Sequence, residues 1–329
     1  MHAGEPVTAG RSSHPVDGCG EDSADRQDGT HPGTEARSTA AGDAHGKEVG
    51  DHYDRLTESF YLNWSRDHIH LGVFEPGECP EPGEMNWQSK GLARALIRTV
   101  ELTVAPAGIE AHHRVVDAGC GVGGTAILLA KQVGCSVTGV SNSAVHLKLA
   151  EEKAVAEGVS ELVRFEYADC SRRLPFPDDS IDVVVNVESA CHYHDRYQFL
   201  REVRRVLKPG GRLAAMDWMA PDGLTSEQHD EFLQPMLSAY VIKSLDSPSS
   251  YSEKLRRAGL EILEFEGFGG KEMDNLKLIK NSRDNFCFSL LAGAKSPEFL
   301  ALFERMRTFY LAWSNGAFET RRYCAVKPG

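Results

Sequence analysis

The chain has 329 residues, of which 41% are hydrophobic and 26% are charged, and its formal net charge is -12. This length suits one large α/β domain with insertions, or at most two domains. A net negative charge argues against a nucleic-acid-binding protein, because phosphate contacts require clustered lysine and arginine. No run of about 18 apolar residues is present, so the sequence predicts no membrane span.

The first fifty residues are poor in large apolar side chains. No Ile, Leu, Phe, Trp or Tyr occurs between Met1 and His52. Such a segment cannot bury enough apolar surface to offset its loss of conformational entropy, so we predict a disordered tail over residues 1–50. This segment has no apolar stretch typical of a secretory signal, and the eight cysteines form no C-x-x-C pair. We therefore expect a cytoplasmic protein with reduced thiols.

The pattern of apolar residues predicts secondary structure from Tyr53 onward. It indicates helices over residues 52–60 and 87–102, and we assign residues 51–108 to an N-terminal helical lid. Strands and helices then alternate through residues 109–220, which predicts βαβ units, a parallel sheet and a Rossmann-like core. In this core, strands are predicted at 114–117, 136–140, 163–167, 181–187 and 212–218, and helices at 125–133, 143–157 and 195–207. Residues 221–329 are predicted to add helical insertions at 225–244, 252–258, 276–291 and 297–313, and two last strands at 261–268 and 320–326.

A glycine-rich segment follows the first predicted strand. It reads VVDAGCGVGG, and Gly119, Gly121 and Gly124 fit the G-x-G-x-x-G pattern of nucleotide-binding loops. Asp117 stands directly before the glycines, where it would repel a pyrophosphate. The second predicted strand also ends without the acidic residue that holds a ribose in NAD enzymes. A ligand with an ammonium group and no phosphate fits better, and S-adenosylmethionine (SAM) is such a ligand.

This segment resembles the first motif of the class I SAM-dependent methyltransferases. Residues 167–170 (YADC) and 207–211 (LKPGG) resemble two later motifs of the same family, in the same order. Residues 53–72 and 188–192 (ESACH) are similar to the sterol 24-C-methyltransferase and tocopherol C-methyltransferase group. The resemblance implies a Rossmann-like, seven-stranded, mostly parallel α/β sheet, with helices on both faces and a helical lid over the acceptor site.

The glycine segment and the resemblance together predict how the cofactor SAM is held. Asp117 is expected to offset the cofactor's amino group, and the family implies that Asp169 lies against the adenine amine. Where the family often has an acidic residue after the second strand, this chain has Ser141, so we expect Ser141 and His146 to hold the ribose. The predicted cofactor-binding residues are Asp117, Gly119, Cys120, Gly121, Ser141, Asn142, His146, Asp169, Cys170 and Val187.

The residues for chemistry are expected at the carboxyl ends of the fourth and fifth strands, and we predict Glu188, His192 and Asp217 as catalytic. Glu188 follows an apolar strand, where a carboxylate is costly unless it is paired or functional. His192 suits a general base or a hydrogen-bonding partner of the acceptor. The alternatives are a helix N-cap or a hydrogen bond to the lid for Glu188, and a packed core histidine for His192. The predicted acceptor-binding residues are Tyr53, His70, Tyr193, Trp218 and Tyr240.

The sequence thus predicts a SAM-dependent methyltransferase that acts on a small, largely apolar metabolite, such as a terpenoid, a sterol, an indole or another aromatic natural product. Transfer to carbon is favoured, because carboxylates and aromatic faces suit a cationic intermediate. The alternative is transfer to oxygen or nitrogen with His192 as the base. An NAD-dependent oxidoreductase and a non-catalytic SAM-binding module are the remoter alternatives. The pattern requires no metal and leaves homo-oligomerisation open.

Overall fold

The computed structural model describes residues 44–57, 64–78, 90–267 and 297–329. The strands are β1 (Arg114–Ala118), β2 (Ser136–Ser141), β3 (Val163–Tyr167), β4 (Ile181–Val187), β5 (Leu207–Met219), β6 (Glu261–Glu266) and β7 (Glu319–Val326). The helices are α1 (residues 44–57), α2 (Lys90–Val104), α3 (Gly124–Val133), α4 (Ala144–Ala156), α5 (Arg196–Val206), α6 (Ser226–Gln228), α7 (Gln234–Ala239), α8 (Pro248–Arg257) and α9 (Pro297–Ser314). No helix in these ranges is both long and apolar enough to cross a membrane.

The seven strands form one sheet in the order β3-β2-β1-β4-β5-β7-β6. β1 to β5 pair in parallel, whereas β7 runs antiparallel to its neighbours β5 and β6. The chain leaves β1 towards β2 and β3, and then returns to β4 on the other side of β1. Open sheets of this kind bind ligands at the carboxyl ends of the strands where the order reverses, which here are β1 and β4. The predicted fold class is confirmed.

Helices cover both faces of the sheet, which explains the continuous apolar run of β4. Val183 and Val185 pack in a cluster with α3, whereas Val184 packs in a cluster with α5 and α8. Successive side chains of a strand point to opposite faces, so a strand covered on both faces is apolar throughout. The sheet therefore sits at the centre of the core and holds its carboxyl ends in fixed positions.

The structure corrects the predicted disordered tail. Residues 44–50 belong to α1, and His45 and Val49 are 4% and 7% exposed. The prediction is wrong for residues 44–50. It was based on the low content of large apolar residues in the segment alone, whereas these side chains are buried against the rest of the protein. Residues 1–43 lie outside the described residues.

Other predicted elements differ at their ends. The helix predicted over 225–244 is divided by a π-helical turn at His229–Leu233, and the chain leaves α7 at Val241, whose φ is +55°. The helix predicted at 252–258 begins earlier, because Ser247 caps the amino end of α8 and Pro248 occupies its first turn. The predicted helix at 276–291 lies outside the described residues, as do residues 58–60 and 87–89 of the helices predicted at 52–60 and 87–102.

Candidate active site

A cavity lies at the carboxyl ends of β1, β2 and β4, under α1 and residues 67–70. It brings together most of the residues that the sequence singled out. The predicted residues that line it are Tyr53, His70, Asp117, Gly119, Cys120, Gly121, Ser141, Asn142, His146, Asp169, Cys170, Val187, Glu188, His192 and Tyr193. Cofactor-binding and catalytic candidates therefore share one cavity.

The glycine loop is held close to the sheet at the bottom of this cavity. The backbone N–H groups of Gly119 and Cys120 both donate to the carbonyl of Val140, at 2.9 and 3.0 Å. Gly119 has a φ of +81°, and a Cβ there would lie 2.2 Å from Ser189 Oγ. Gly121 has a φ of +51°, and a Cβ there would meet nothing within 4 Å. The loop thus needs glycine at position 119 for close packing, and it leaves open space at position 121.

Asp117 supplies a buried acid in the wall of the cavity. It is 2% exposed, and its Oδ2 has no hydrogen-bond partner in the described part of the chain. Burial raises the pKa of its carboxyl to about 7. No lysine or arginine is among the described residues that line the cavity. A buried acid that lacks a cationic side chain is suited to a ligand that brings its own positive charge.

The neighbouring polar side chains can also form hydrogen bonds to a ligand. His146 is 3% exposed, its Nε2 has no partner among the described residues, and burial lowers its pKa to about 4. Asp169 accepts a hydrogen bond from the backbone N–H of Ser171 at 2.9 Å. Ser141 Oγ accepts from the backbone N–H of Ser143 at 3.2 Å. Together with Asp117 and the open space at Gly121, these groups fit the amino, ribose and adenine groups of SAM.

Helix α1 packs closely against the residues of the cavity wall at two glycines, Gly46 and Gly50. A Cβ on Gly46 would lie 2.1 Å from Asp169 Oδ2, and a Cβ on Gly50 would lie 2.6 Å from the Asn142 carbonyl oxygen. The Asn142 side-chain amide donates to the Gly46 carbonyl at 2.9 Å. His45, Gly46 and Val49 line the cavity and were missed by the sequence analysis. The signal that was present is the i, i+4 spacing of Gly46 and Gly50, which places both on one helix face.

Two truncated chains test the contribution of α1 separately from that of the segment before it. We expect a chain that lacks residues 1–43 to keep nearly the wild-type melting temperature and SAM affinity, because residues 1–43 carry few large apolar side chains. A chain that lacks residues 1–50 also loses His45 and Val49 from the cavity, so its SAM affinity should fall at least tenfold. Isothermal titration with SAM measures the affinity of each truncated chain, and thermal unfolding measures its melting temperature. Equal affinity of the two truncated chains would show that α1 does not contribute to binding.

Glu188 lines the same cavity and lies directly after β4. It has a φ of +48°, a left-handed conformation that is uncommon for a residue with a side chain and that occurs at functional sites. Its Oε1 accepts a hydrogen bond from the backbone N–H of Leu71 at 3.1 Å. Desolvation, reinforced by the nearby Asp217, raises the pKa of the Glu188 carboxyl to about 8.

His192 and Tyr53 form a hydrogen-bonded pair in the same region. The distance between His192 Nε2 and the Tyr53 hydroxyl is 2.8 Å, and His45 Nε2 donates to the His192 carbonyl at 3.0 Å. Burial, together with the nearby charge of Arg305, lowers the pKa of the His192 imidazole to about 3. The imidazole is therefore neutral at physiological pH and is a weak base.

His70 and Tyr193 line the cavity with different surroundings. His70 Nδ1 donates to the Leu71 carbonyl at 2.9 Å, and its Nε2 has no partner among the described residues. The Tyr193 hydroxyl lies 3.0 Å from Ser189 Oγ and would be 3.1 Å from a Cβ on Gly119. Tyr193, predicted as part of an acceptor wall, thus lies beside the glycine loop.

Three predicted residues do not line this cavity. Asp217 is 2% exposed, and its Oδ1 accepts a hydrogen bond from the backbone N–H of Trp218. Trp218 packs against Tyr240 and Phe309, with ring centroids 5.4 and 5.2 Å apart. The Trp218 side chain still lies close enough to Glu188 to lower the pKa of the Glu188 carboxyl. The indole N–H of Trp218 has no hydrogen-bond partner among the described residues. Nothing in the local sequence indicates the contact with Phe309, because this residue comes from the distant α9.

Comparison with known proteins identifies the family. The family model described as "Methyltransferase domain" matches residues 116–215. Methyltransferase GfsG of Streptomyces halstedii is 34% identical over 222 residues, which cover 68% of this chain and 76% of that protein. The 27-O-demethylrifamycin SV methyltransferase of Amycolatopsis mediterranei is 33% identical, over 65% of this chain and 74% of that protein.

A solved structure has the same fold. The geranyl diphosphate C-methyltransferase of Streptomyces coelicolor A3(2) superposes with a TM-score of 0.67 at 18% identity, over 86% of this chain and 98% of that chain. With the glycine loop, the buried Asp117 and the sheet order, these matches are decisive. The chain belongs to the SAM-dependent methyltransferase family, and SAM is its cofactor.

Proposed function

We propose that this enzyme transfers the methyl group of SAM to a small, largely apolar acceptor that binds beside Glu188 and His192. The observation that carries the proposal is that one cavity contains both Asp117 with the glycine loop and Glu188 with His192. Methyl transfer requires the acceptor and the cofactor to be held in line, and one cavity shared by both is suited to this.

In this proposal, the cofactor occupies the side of the cavity under α1. Asp117 pairs with its amino group, Asp169 accepts from its adenine amine, and Ser141 and His146 hold its ribose. Gly119, Cys120, Gly121, Asn142, Cys170 and Val187 complete that side of the cavity. SAM supplies a methyl group on a positively charged sulfur, and the chain's own residues orient both reactants and exclude water.

Carbon is the acceptor atom that we propose first. A carbon acceptor attacks through its π electrons and becomes cationic, so it benefits from a carboxylate and from aromatic faces. Glu188 provides a carboxyl group in the cavity wall, and Trp218 lies near it. The structural relative from Streptomyces coelicolor is named as a C-methyltransferase, which agrees with this choice.

A hydroxyl acceptor is the second candidate, and the His192–Tyr53 pair favours it. The imidazole and the phenol lie 2.8 Å apart, and in this proposal both offer a hydrogen bond to the acceptor hydroxyl. The name of the Amycolatopsis relative indicates methylation of an oxygen. The two candidates differ in the atom that carries the new methyl group.

Product analysis decides between them. The purified enzyme is incubated with a metabolite extract and SAM that carries a ¹³C-labelled methyl group, and the labelled product is isolated and assigned by NMR. We expect a carbon-bound methyl group, with turnover reduced at least tenfold in Glu188→Gln and largely kept in His192→Ala. An oxygen-bound methyl group, with turnover lost in His192→Ala and kept in Glu188→Gln, would contradict the carbon assignment. SAM that is not consumed with any fraction of the extract, while NAD binds, would contradict the proposed function.

We also propose that the enzyme acts in the cytoplasm. The described residues include five buried cysteines, Cys120, Cys135, Cys170, Cys191 and Cys324, and all are free thiols. Reduced cysteines are typical of cytosolic proteins, whereas secreted proteins tend to pair them.

A further inference from the structure

We propose that a second pocket, at the opposite end of the sheet from the cofactor cavity, binds a ligand that carries a diphosphate group. This pocket, which we call the arginine pocket, lies between α5 and the carboxyl end of α8, beside the turn that precedes β4. It is lined by five cationic side chains, Arg201, Arg204, Arg205, Arg257 and Lys327. The inference concerns a site outside the methyl-transfer cavity and does not rest on the function proposed above.

The arginine pocket holds more positive than negative charge. Two acids also line it, and each already has a cationic partner: Asp178 pairs with Arg205 at 2.8 Å, and Asp179 pairs with Lys327 at 2.5 Å. Five cationic side chains therefore face two acidic ones, which leaves a surplus of three positive charges. The surplus belongs to the lining residues that form no ion pair in the described part of the chain, Arg201, Arg204 and Arg257. It is a local feature, since the formal net charge of the chain is -12.

Two of these three arginines are held by specific contacts. The Arg257 guanidinium lies 4.9 Å from the centroid of the Tyr197 ring, and the Tyr197 hydroxyl donates to the Arg257 carbonyl at 3.3 Å. The Arg204 side chain lies against Gly259, where a Cβ would be 2.6 Å from Arg204 Nε. Gly259 has a φ of +78°, so glycine both ends α8 and makes room for Arg204. Guanidinium groups that are already positioned lose less conformational entropy when they bind a ligand.

The type and number of these side chains indicate the class of ligand. A guanidinium is a planar fork of N–H donors that binds two phosphate oxygens at once. A single phosphate group carries about two negative charges near neutral pH and would leave part of the surplus unbalanced, whereas two linked phosphates can balance it. An extended acidic peptide would distribute its carboxylates along a surface, but these three arginines line one pocket between two helices. A compact diphosphate therefore fits better.

A diphosphate in the arginine pocket would join two helices. Arg201 and Arg204 come from α5, whereas Arg257 is the last residue of α8. The like charges of these side chains repel one another, and an anion between them removes this repulsion. Because the unfolded chain does not assemble the pocket, the ligand binds only the folded protein and stabilises it. We therefore expect inorganic pyrophosphate to raise the melting temperature of the full chain.

Isothermal titration of the full chain with inorganic pyrophosphate tests the proposal. The titration is done near neutral pH without divalent cations, and S-adenosylhomocysteine is present in excess so that the cofactor cavity is occupied. We expect one pyrophosphate per chain, bound about tenfold or more tighter than inorganic phosphate, because each added hydrogen bond between charged groups contributes this much. A titration with adenosine diphosphate then distinguishes the source of the group: tighter binding than pyrophosphate indicates an ester, and weaker binding indicates the free anion.

Variants locate the bound anion. Arg204→Ala and Arg257→Ala should each weaken pyrophosphate binding by about tenfold or more and should keep the wild-type SAM affinity. Arg256→Ala is the matched control, because Arg256 is exposed on the same turn of α8 as Arg257 but does not line the pocket. Its pyrophosphate affinity should stay within about twofold of the wild type, since an exposed charge beside the pocket is screened. Arg257→Lys keeps the charge without the planar fork, so it should recover only part of the affinity.

Several results would overturn the inference. Unchanged pyrophosphate binding in both Arg204→Ala and Arg257→Ala, or an equal loss in Arg256→Ala, would show that the anion does not bind in the arginine pocket. Pyrophosphate binding no tighter than that of inorganic phosphate would contradict the assignment of a diphosphate. A poly-glutamate peptide that binds to the pocket while pyrophosphate does not would show that the pocket docks an acidic protein segment instead.

Discussion

Replacement of Gly119 with valine should abolish SAM binding and lower the free energy of unfolding by about 3 kcal/mol or more. The residue has a φ of +81°, which a β-branched side chain adopts only under strain. A Cβ there would lie 2.2 Å from Ser189 Oγ and 2.4 Å from Ser189 Cβ. Ser189 cannot turn away at low cost, because its hydroxyl donates to the Ala118 carbonyl at 2.8 Å. The glycine loop must therefore move, and the cofactor cavity changes with it.

Gly134→Val is the matched control for this substitution. Gly134 has nearly the same φ, +79°, at the end of α3, and the nearest atom to a Cβ there is 4.0 Å away. The control should cost about 1–2 kcal/mol of stability through backbone strain alone and should keep the wild-type SAM affinity. Isothermal titration and thermal unfolding measure both quantities. A folded Gly119→Val protein that binds SAM within threefold of the wild type would show that the loop has another role.

The strands of the core could be predicted from the sequence because their signals are local. The observed β3 and β4 have the predicted bounds, and β1 and β2 each extend one residue further. A strand covered on both faces is a continuous apolar run, and the glycines that follow β1 are visible in any sequence. The residues of the glycine loop and those directly after β4 were therefore singled out from the sequence, and they line the cavity.

The contacts between distant segments could not be predicted in this way. His192 and Tyr53 are 139 positions apart, and nothing in either local sequence indicates their 2.8 Å contact. Trp218 ends a strand at the expected edge of the sheet, but Phe309 from α9 packs on its ring. His45 lies in a segment without large apolar residues, yet it is 4% exposed and its Nε2 donates to the carbonyl of the distant His192. Each case depends on tertiary packing, which overrides local composition.

Arg196→Met should be among the most destabilising single substitutions outside the glycine loop. The Arg196 side chain is 6% exposed, and its Nη1 lies 3.2 Å from the Asp246 carboxylate. Its Nε donates to the Ala190 carbonyl at 2.9 Å, and its Nη2 donates to the Cys191 carbonyl at 3.0 Å and also to the Ser244 carbonyl. These bonds join the turn that carries His192 to the segment after α7. Loss of one partner of a buried ion pair costs about 3–5 kcal/mol, because the remaining charge stays buried.

Asp246 keeps a cationic partner, Lys254 at 2.6 Å, and a hydrogen bond from the Ser250 hydroxyl at 3.1 Å, so we expect the lower end of this range and a decrease in Tm of roughly 4 °C. Arg307→Met is the matched surface control, since Arg307 pairs with Glu304 and both are about half exposed; its effect should stay within about 0.5 kcal/mol.

Arg196→Lys separates the ion pair from the bonds to the turn. Lysine keeps the positive charge beside Asp246, but it lacks the planar group that donates to several carbonyls at once. We therefore expect this variant to recover most of the stability while the turn at residues 190–192 is no longer held. Since the turn carries His192, the acceptor KM should rise at least tenfold and the SAM affinity should stay near that of the wild type. If Arg196→Lys instead restores both stability and acceptor KM, the charge alone is sufficient, and the carbonyl contacts do not position His192.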